Sequence, residues 1–314
     1  MGDVPRMPTH DLSHVPGVTP EVQEKLLRAG LATPFLLSTA SVEQIQAAGI
    51  PKSQAEELIG NARDIAEIKH ITPSEFAERF FTMAKISTGS TKLDEALGAG
   101  IETMTLTEFF GPSASGKSQM CMQLAVNAQL PEESGGLESR VVYIDTEKSF
   151  NPGRVENLAK FRGIKPREAL KKILYVRVSS LSELFEKANK AEEFLSRRDT
   201  RILIIDNIIS PFRLESEKRG AHERPLLLQK LLWKLLLYTD ELNAAVVFTN
   251  RVYSLPDSIT GEVIQPFGGL VVDTSVHKKV FLRKHENEVY RASLMGDQPM
   301  EVFFRIDKSG VRDL

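Results

Sequence analysis

Five largely apolar runs of strand length recur along the chain after residue 86. They span residues 104–110, 141–145, 173–178, 201–206 and 244–249. Such runs are typical of strands buried on both faces of a parallel sheet, and segments of helical periodicity, such as residues 119–130, separate them. Near the end, residues 276–306 contain period-two stretches that predict antiparallel strands. The pattern therefore predicts an α/β domain whose mainly parallel sheet is flanked by helices.

The first 66 residues follow a different, helical pattern. A hydrophobic–Gly–hydrophobic turn at Gly17 precedes a predicted helix over 20–29, and a second turn at Gly49 precedes one over 53–65. This pattern is typical of a helix-hairpin-helix unit, which points backbone N–H groups at DNA phosphates without reading bases. A helical bundle without a ligand stays an alternative, because residues 11–66 hold four Lys/Arg against seven acidic residues.

The two patterns divide the chain into three predicted parts. We expect a small all-α helix-hairpin-helix domain over 1–66, a linker or oligomerisation segment over 67–85, and the α/β core over 86–314. Within the linker, a short helix is predicted over 74–80 after the break at Thr72-Pro73.

Composition narrows the class of protein. The net charge of −2 over 314 residues argues against a surface that attracts nucleic acid everywhere, while a local basic stripe remains compatible with it. The single cysteine, Cys121, excludes an internal disulfide and is expected in the core. The candidate membrane segment, residues 226–238, is too short and carries charges, so we expect a cytoplasmic protein without membrane contact.

Residues 111–118 match the phosphate-binding loop G-x-x-x-x-G-K-[ST], between a predicted strand and a predicted helix. Its glycines let the backbone curl so that successive N–H groups point at a phosphate. Lys117 is expected to reach the β- and γ-phosphates, and Ser118 to hold Mg²⁺. The predicted nucleotide contacts here are Gly111, Pro112, Ser113, Ala114, Ser115, Gly116, Lys117, Ser118 and Gln119.

Two acidic residues follow buried strands of the predicted sheet. Asp206 ends the run 201–206, where it is placed to support Mg²⁺ through water; capping of the next loop is the alternative. Glu147 follows the run 141–145 and is placed to orient or deprotonate a water that attacks a γ-phosphate. Spacing alone leaves that role of Glu147 open.

Several runs, in this order, resemble the RadA recombinases of archaea and their eukaryotic relatives, which share a RecA-like core. They are Ile86-Ser87-Thr88-Gly89-Ser90, Gly100-Ile101-Glu102-Thr103, Thr107-Glu108-Phe109-Phe110-Gly111, Gln129-Leu130-Pro131, Tyr143-Ile144-Asp145-Thr146-Glu147, Thr249-Asn250 and Phe267-Gly268-Gly269. The resemblance covers essentially the whole chain. It implies a DNA-dependent ATPase that uses ATP and Mg²⁺, forms a helical filament on single-stranded DNA and exchanges strands with duplex DNA. It also implies that Glu147 activates water.

The same resemblance implies two DNA-binding loops, about 213–224 and 252–268. The residues expected to meet DNA are Arg213, Arg219, Arg224, Gly268 and Gly269. Without the resemblance, the first loop reads as a solvated charged loop, because Glu215, Glu217 and Glu223 alternate with its arginines.

The linker departs from the family pattern. The family joins neighbouring subunits through a Phe-x-x-Ala segment, and the matching positions here are His70 and Pro73. Loss of the aromatic anchor is expected to weaken that contact. A literal Phe-x-x-Ala occurs at residues 81–84, about eleven residues later, where we expect it to pack against the core.

The nucleotide site and the second loop also depart from it. Arg251 stands where the family carries a γ-phosphate-sensing Gln; an arginine can meet the phosphate but cannot accept a hydrogen bond. Leu255 replaces a loop arginine, and Lys148 replaces a small residue, where it could pair with Glu147. The segment 297–299 resembles a loop that caps a neighbour's ATP but is about three residues shorter.

Residues 225–242 form a predicted helix that is apolar nearly all round, with Trp233 among many leucines. Such a helix is either wholly buried or presents a face to a partner, such as a recombinase or a mediator. Two functions stay open: a strand-exchanging recombinase, or a divergent paralogue that binds ATP and DNA and assists one. A third interpretation, a phosphate-loop NTPase that never touches DNA, is disfavoured by the resemblance.

Overall fold

The computed structural model divides the chain into two compact units, Met1–Phe81 and Thr82–Leu314. It describes residues 12–29, 31, 34–38, 40–65, 73–197, 199–215, 223–257, 261–296 and 299–314. The three functional parts expected from the sequence stay a prediction.

The first unit is all-helical. After a 3₁₀ turn at Leu12–His14, its helices are α1 (Pro20–Arg28), α2 (Pro34–Ser38), α3 (Val42–Ala47), α4 (Lys52–Ile65) and α5 (Pro73–Phe81). Hydroxyl side chains start two of them, because Thr19 caps α1 and Ser41 caps α3. Gly17 and Gly49 both have positive φ, so each predicted turn forms where the pattern places it.

The second unit alternates strands and helices. Its strands are β1 (Lys85–Ile86), β2 (Ile101–Glu102), β3 (Leu106–Phe110), β4 (Arg140–Asp145), β5 (Ile173–Arg177), β6 (Thr200–Asp206), β7 (Ala245–Asn250), β8 (Val252–Asp257), β9 (Gly261–Pro266), β10 (Lys278–Glu286), β11 (Val289–Met295), β12 (Met300–Asp307) and β13 (Gly310–Asp313). Its helices are α6 (Thr91–Ala96), α7 (Lys117–Asn127), α8 (Pro152–Phe161), α9 (Pro166–Lys171), α10 (Leu181–Leu195), α11 (Ser210–Leu214), α12 (Glu223–Leu242) and α13 (Gly269–Asp273), with a 3₁₀ turn at Glu132–Ser134.

A nine-stranded sheet runs through this unit in the order β13-β12-β11-β10-β3-β7-β6-β4-β5. The six strands from β10 to β5 pair in parallel, and β10 to β13 pair antiparallel. Five of these parallel strands, β3 to β7, coincide with the apolar runs of the sequence to within about two residues, as expected for strands covered on both faces. The sixth, β10, lies in the stretch predicted to be antiparallel, and it pairs antiparallel with β11 but parallel with β3. The domain has the α/β fold with a RecA-like core.

Alternation along the strands supplies an apolar cluster to each face of the sheet. On one face Phe109 and Tyr143 pack with residues of α7 and α8. On the other, Leu106 and Phe248 pack with residues of α10 and α12. Helices on both faces leave the carboxyl edge of the parallel strands open for the loops that carry function.

Most of the segment expected as the second DNA-binding loop, residues 252–268, forms a β-hairpin. Strands β8 and β9 pair antiparallel from Val252↔Pro266 to Asp257↔Gly261. A hairpin forms where a loop was expected because residues 252–257 and 261–266 satisfy each other's backbone hydrogen-bonding groups. Among the described residues, no helix has the length and apolarity that crossing a bilayer requires.

Candidate functional site

The predicted phosphate loop lies between the buried strand β3 and the start of α7. A Cβ built on Gly111 would lie 2.1 Å from the carbonyl oxygen of Leu282, so no larger residue fits there. Gly116 has φ +94°, and a Cβ on it would lie 2.8 Å from Ile306 Cδ1. Gly116 gives α7 no side-chain cap, which leaves the first N–H groups of the helix free for an anion.

The ammonium of Lys117 lies inside this loop. Its Nζ donates to the carbonyl oxygens of Gly111 and Pro112 at 2.9 and 2.7 Å and to Ser115 Oγ at 3.2 Å. Burial lowers the pKa of Lys117, while the negative charges of Asp206 and Glu147 oppose that shift. A half-buried cation held over backbone carbonyls fits the anionic phosphates of a nucleotide.

Asp206 lies at the carboxyl end of β6 and is 1% exposed. Its carboxylate accepts hydrogen bonds from Thr249 Oγ1 at 2.5 Å, Ser149 Oγ at 2.6 Å and the Tyr143 hydroxyl at 3.1 Å. Sequence reasoning missed these three donors, although Thr249 and Tyr143 lie near the carboxyl ends of their strands. The hydroxyls fix the direction in which the carboxylate faces the loop.

The described residues contain no group of three or more His, Cys, Asp or Glu side chains that by itself could hold a metal ion. Mg²⁺ in phosphate-loop proteins takes only one or two protein oxygens and is completed by phosphates and water. Ser118, the second residue of α7, and Asp206 fit that sparse donor set.

Glu147 projects from a tight turn after β4. Asp145 holds this turn by accepting hydrogen bonds from the backbone N–H groups of Glu147, Ser149 and Phe150 at 3.0, 3.2 and 3.1 Å. The residue between, Lys148, has φ +60° and is exposed. The turn thus presents Glu147 at the carboxyl edge of the sheet, beside the phosphate loop.

The cation that pairs with Glu147 is Arg251. Arg251 Nε and one terminal nitrogen lie 2.8 and 2.7 Å from Glu147 Oε1, and the Ser210 hydroxyl donates to the same oxygen. The pairing suggested for Lys148 is therefore wrong, because β4 and β7 end at the same edge and bring Arg251 to that carboxylate. The sequence could not predict this pair, because Glu147 and Arg251 are 104 residues apart and no local pattern connects them.

Gln119 and Arg154 form a second polar pair beside the loop. Arg154 Nε donates to Gln119 Oε1 at 2.7 Å, and its Nη1 donates to the carbonyl oxygen of Lys308 at 2.8 Å. Sequence reasoning included Gln119 and missed Arg154, which lies on α8.

The predicted DNA-contacting residues lie in two places. Arg213 is on α11, where its guanidinium stands 5.3 Å from the centre of the Phe267 ring, and Phe267 packs against Tyr253 at 5.0 Å. Gly268 has φ +97° and is the N-cap of α13, which begins at Gly269. Arg224 lies in the first turn of α12, and Arg219 lies outside the described residues. The structure therefore brings Arg213 close to the base of the β8–β9 hairpin.

The amide of Asn250 connects the base of this hairpin to a buried acid, Glu108, on β3. Asn250 Nδ2 donates to Glu108 Oε1 and to the carbonyl oxygen of Phe267, each at 2.7 Å. Burial raises the pKa of Glu108 to about 7.

Helix α12 is buried on one side only. Leu228, Leu231, Leu232 and Leu235 are in the core, whereas Trp233 is 55% exposed. The alternative of a wholly buried helix is thus wrong, and a partner for the outer face stays a prediction.

The literal Phe-x-x-Ala segment divides between surface and core. Ala84 packs against the core, where its N–H donates to Thr103 Oγ1 at 3.0 Å and its carbonyl accepts from the Thr103 N–H at 2.8 Å. Phe81 is 87% exposed, so the expectation of core packing is wrong for this residue. Pro73 begins α5, and His70 lies outside the described residues.

Comparison with known proteins places the chain in a family. The Rad51 family model matches residues 79–314. The DNA repair and recombination protein RadA of Aeropyrum pernix is 36% identical over 309 residues, covering 96% of this chain and 97% of that protein. The RadA protein of Ignicoccus hospitalis, described in the same words, is 35% identical over 312 residues, covering 96% and 95%.

Proposed function

This chain belongs to the Rad51 family, and we propose that it is an ATP-dependent DNA recombinase of the RadA type. It binds single-stranded DNA as a filament and promotes strand exchange with duplex DNA in homologous recombination and repair. The observation that carries this proposal is the phosphate loop around Lys117, with Asp206 and Glu147 beside it at one edge of the sheet. The near full-length similarity to proteins named for DNA repair and recombination supports the biological role.

The nucleotide is ATP, held by residues 111–119. The backbone of the loop and the start of α7 provide N–H donors, and Lys117 provides the charge that faces the β- and γ-phosphates. When bound, Mg²⁺ would supply neutralisation of phosphate charge. Ser118 would hold the ion directly, and Asp206 would support it through water.

Glu147 orients the attacking water and accepts its proton. A carboxylate on a turn held rigidly by Asp145 is suited to that role, because general-base catalysis depends on fixed geometry. Arg251 is the candidate for contact with the γ-phosphate. The ends of β4 and β7 bring Glu147 and Arg251 into an ion pair. Hydrolysis therefore depends on whether Arg251 contacts Glu147 or the γ-phosphate.

DNA lies along the side of the sheet that carries α11 and the β8–β9 hairpin. Arg213, Arg219 and Arg224 supply positive charge to backbone phosphates, and the N–H groups at Gly268 and Gly269 supply neutral donors. The N-terminal helix-hairpin-helix unit adds sequence-independent contacts to DNA through the turns at Gly17 and Gly49.

A second function is favoured by two observations. First, Arg251 is hydrogen-bonded to the carboxylate of Glu147. Second, His70 and Pro73 are found where the subunit contact of the family has Phe and Ala. These features suit a divergent paralogue that binds ATP and DNA and assists a recombinase. Its partner, a recombinase or a mediator, would then dock on the exposed side of α12 near Trp233.

Electron microscopy of the purified full chain separates these functions. The protein is imaged with ATP, Mg²⁺ and single-stranded DNA, alongside a sample without ATP and the variant Lys117→Ala. Long helical filaments that need both ligands and the lysine support the recombinase. Discrete particles that still bind DNA favour the accessory paralogue.

A further inference from the structure

We infer that Arg251 acts as a latch on Glu147. By this we mean that the Arg251 guanidinium pairs with the Glu147 carboxylate and leaves it when the γ-phosphate of ATP binds the guanidinium instead. This inference rests on the proposed ATPase function and adds a regulation to it. Oε1 of the water-activating carboxylate is then available in the ATP complex and withheld in the ADP complex.

The first argument is the number of donors on one oxygen. Glu147 Oε1 accepts hydrogen bonds from Arg251 Nε and from the Ser210 hydroxyl, and a terminal nitrogen of Arg251 lies 2.7 Å from the same oxygen. A carboxylate oxygen has two lone pairs, so these two donors leave Oε1 no capacity to accept a hydrogen bond from water, and only the second oxygen, Oε2, keeps that capacity. For this oxygen to orient a water, at least Arg251 has to leave.

The second argument is the position of Arg251 relative to the phosphate loop. Strands β3 and β7 pair so that Phe110 lies opposite Asn250. The next residue on each strand is Gly111, which opens the phosphate loop, and Arg251. The sheet register therefore places the base of the arginine beside the loop that holds the phosphates.

The third argument is that exchange is feasible. The Arg251 side chain is 46% exposed and that of Glu147 is 23% exposed, so the pair is screened by water and held weakly. A phosphate offers a guanidinium two oxygens and more negative charge than a carboxylate does. Arg251 can therefore move from Glu147 to a phosphate with little rearrangement of the strands.

A purely structural ion pair is the competing explanation. It would tie the ends of β4 and β7 together whatever nucleotide is bound. The two explanations differ in one quantity, the preference of the protein for ATP over ADP. A latch makes Glu147 a competitor of the γ-phosphate for Arg251, and a structural tie does not.

The experiment measures dissociation constants for a non-hydrolysable ATP analogue and for ADP, both with Mg²⁺, by isothermal titration calorimetry. The proteins are the full chain and its variants Glu147→Ala, Arg251→Gln and the double variant. We expect Glu147→Ala to raise the preference for the ATP analogue about tenfold when Arg251 is present. In the Arg251→Gln background the same change is expected to raise it less than about threefold, because only direct repulsion of the phosphate by Glu147 is removed.

Lys148→Gln is the matched control. It also removes one positive charge beside Glu147, but Lys148 is exposed and is not the cation paired with that carboxylate. The effect of Glu147→Ala should stay about tenfold in this background. Circular dichroism checks that each variant keeps its secondary structure, and Arg251→Met, which also lacks the charge, replaces Arg251→Gln if the latter does not fold.

An equal effect of Glu147→Ala in all backgrounds would overturn the latch and leave a structural ion pair. Failure of the proposed function would give a different result. Either the unmodified protein would bind neither nucleotide, or the Lys117→Ala variant would bind both nucleotides as tightly as the unmodified protein does.

Discussion

Asn250 donates a 2.7 Å hydrogen bond to the carboxylate of Glu108 inside the central sheet, one residue before the arginine that pairs with Glu147. The same amide nitrogen donates to the carbonyl of Phe267 at the base of the β8–β9 hairpin. Asn250, at the end of β7, thereby connects Glu108 on β3 to the base of the hairpin through one shared donor. An acid in this position makes the stability of the core depend on pH.

Glu108→Gln is expected to change that dependence. The pKa of Glu108 in the folded protein, about 7, lies above its ordinary value of 4.5. Folding therefore takes up a proton between these values, so the contribution of Glu108 to stability is present at low pH and is lost as the pH rises through 7. Between pH 5 and pH 8.5 the free energy of unfolding should therefore fall by about 2.5 kcal/mol more in the unmodified protein than in Glu108→Gln.

Urea unfolding of the two proteins at both pH values measures this difference. The exposed Glu95→Gln on α6 removes a carboxylate at the surface and should leave the pH dependence unchanged. If Glu108→Gln followed the unmodified protein at both pH values, Glu108 would titrate normally.

Lys117→Ala should abolish ATP turnover. The substitution removes the ammonium that the phosphate loop holds over the carbonyls of Gly111 and Pro112, and with it the charge facing the β- and γ-phosphates. We expect the rate of phosphate release to fall by at least about a hundredfold. The exposed Lys92→Ala serves as control, and hydrolysis at the unmodified rate in Lys117→Ala would contradict the assignment of the loop.

Glu147→Gln should keep nucleotide binding and slow hydrolysis. Glutamine preserves the size of the side chain but cannot take the proton of the attacking water, so the rate should drop about a hundredfold or more. Phosphate release measures the rate, and calorimetric binding of the ATP analogue confirms that the site is intact. A normal rate with normal binding would mean that another group activates the water.

Arg213→Ala should weaken the binding of single-stranded DNA and its dependence on salt. The guanidinium over the Phe267 ring lies on the proposed DNA side, so its loss removes one phosphate contact. The slope of log K against log salt should become shallower by about 0.7. Fluorescence anisotropy with a labelled oligonucleotide at several salt concentrations measures it.

Arg197→Ala is the matched control for Arg213→Ala. Arg197 is an exposed arginine whose guanidinium also stands over a phenylalanine, 4.9 Å from the centre of the Phe194 ring near the end of α10. An equal loss of binding in both variants would indicate a general charge effect rather than a contact at Arg213.

The sequence alone determined the parallel strands and the phosphate loop. The apolar runs predict buried strands through their length and composition, and Gly111 to Ser118 form a contiguous motif whose backbone geometry is local. It also predicted the turns at Gly17 and Gly49, because a positive φ suits glycine at single positions.

Only the tertiary structure decided which polar groups meet at the carboxyl edge of the sheet. The strand order β3-β7-β6-β4 brings Arg251 to Glu147 and Thr249 to Asp206, across 104 and 43 positions of the chain. Periodicity and motifs report interactions between neighbours in sequence, whereas these contacts arise from long-range strand pairing, which leaves no local signal.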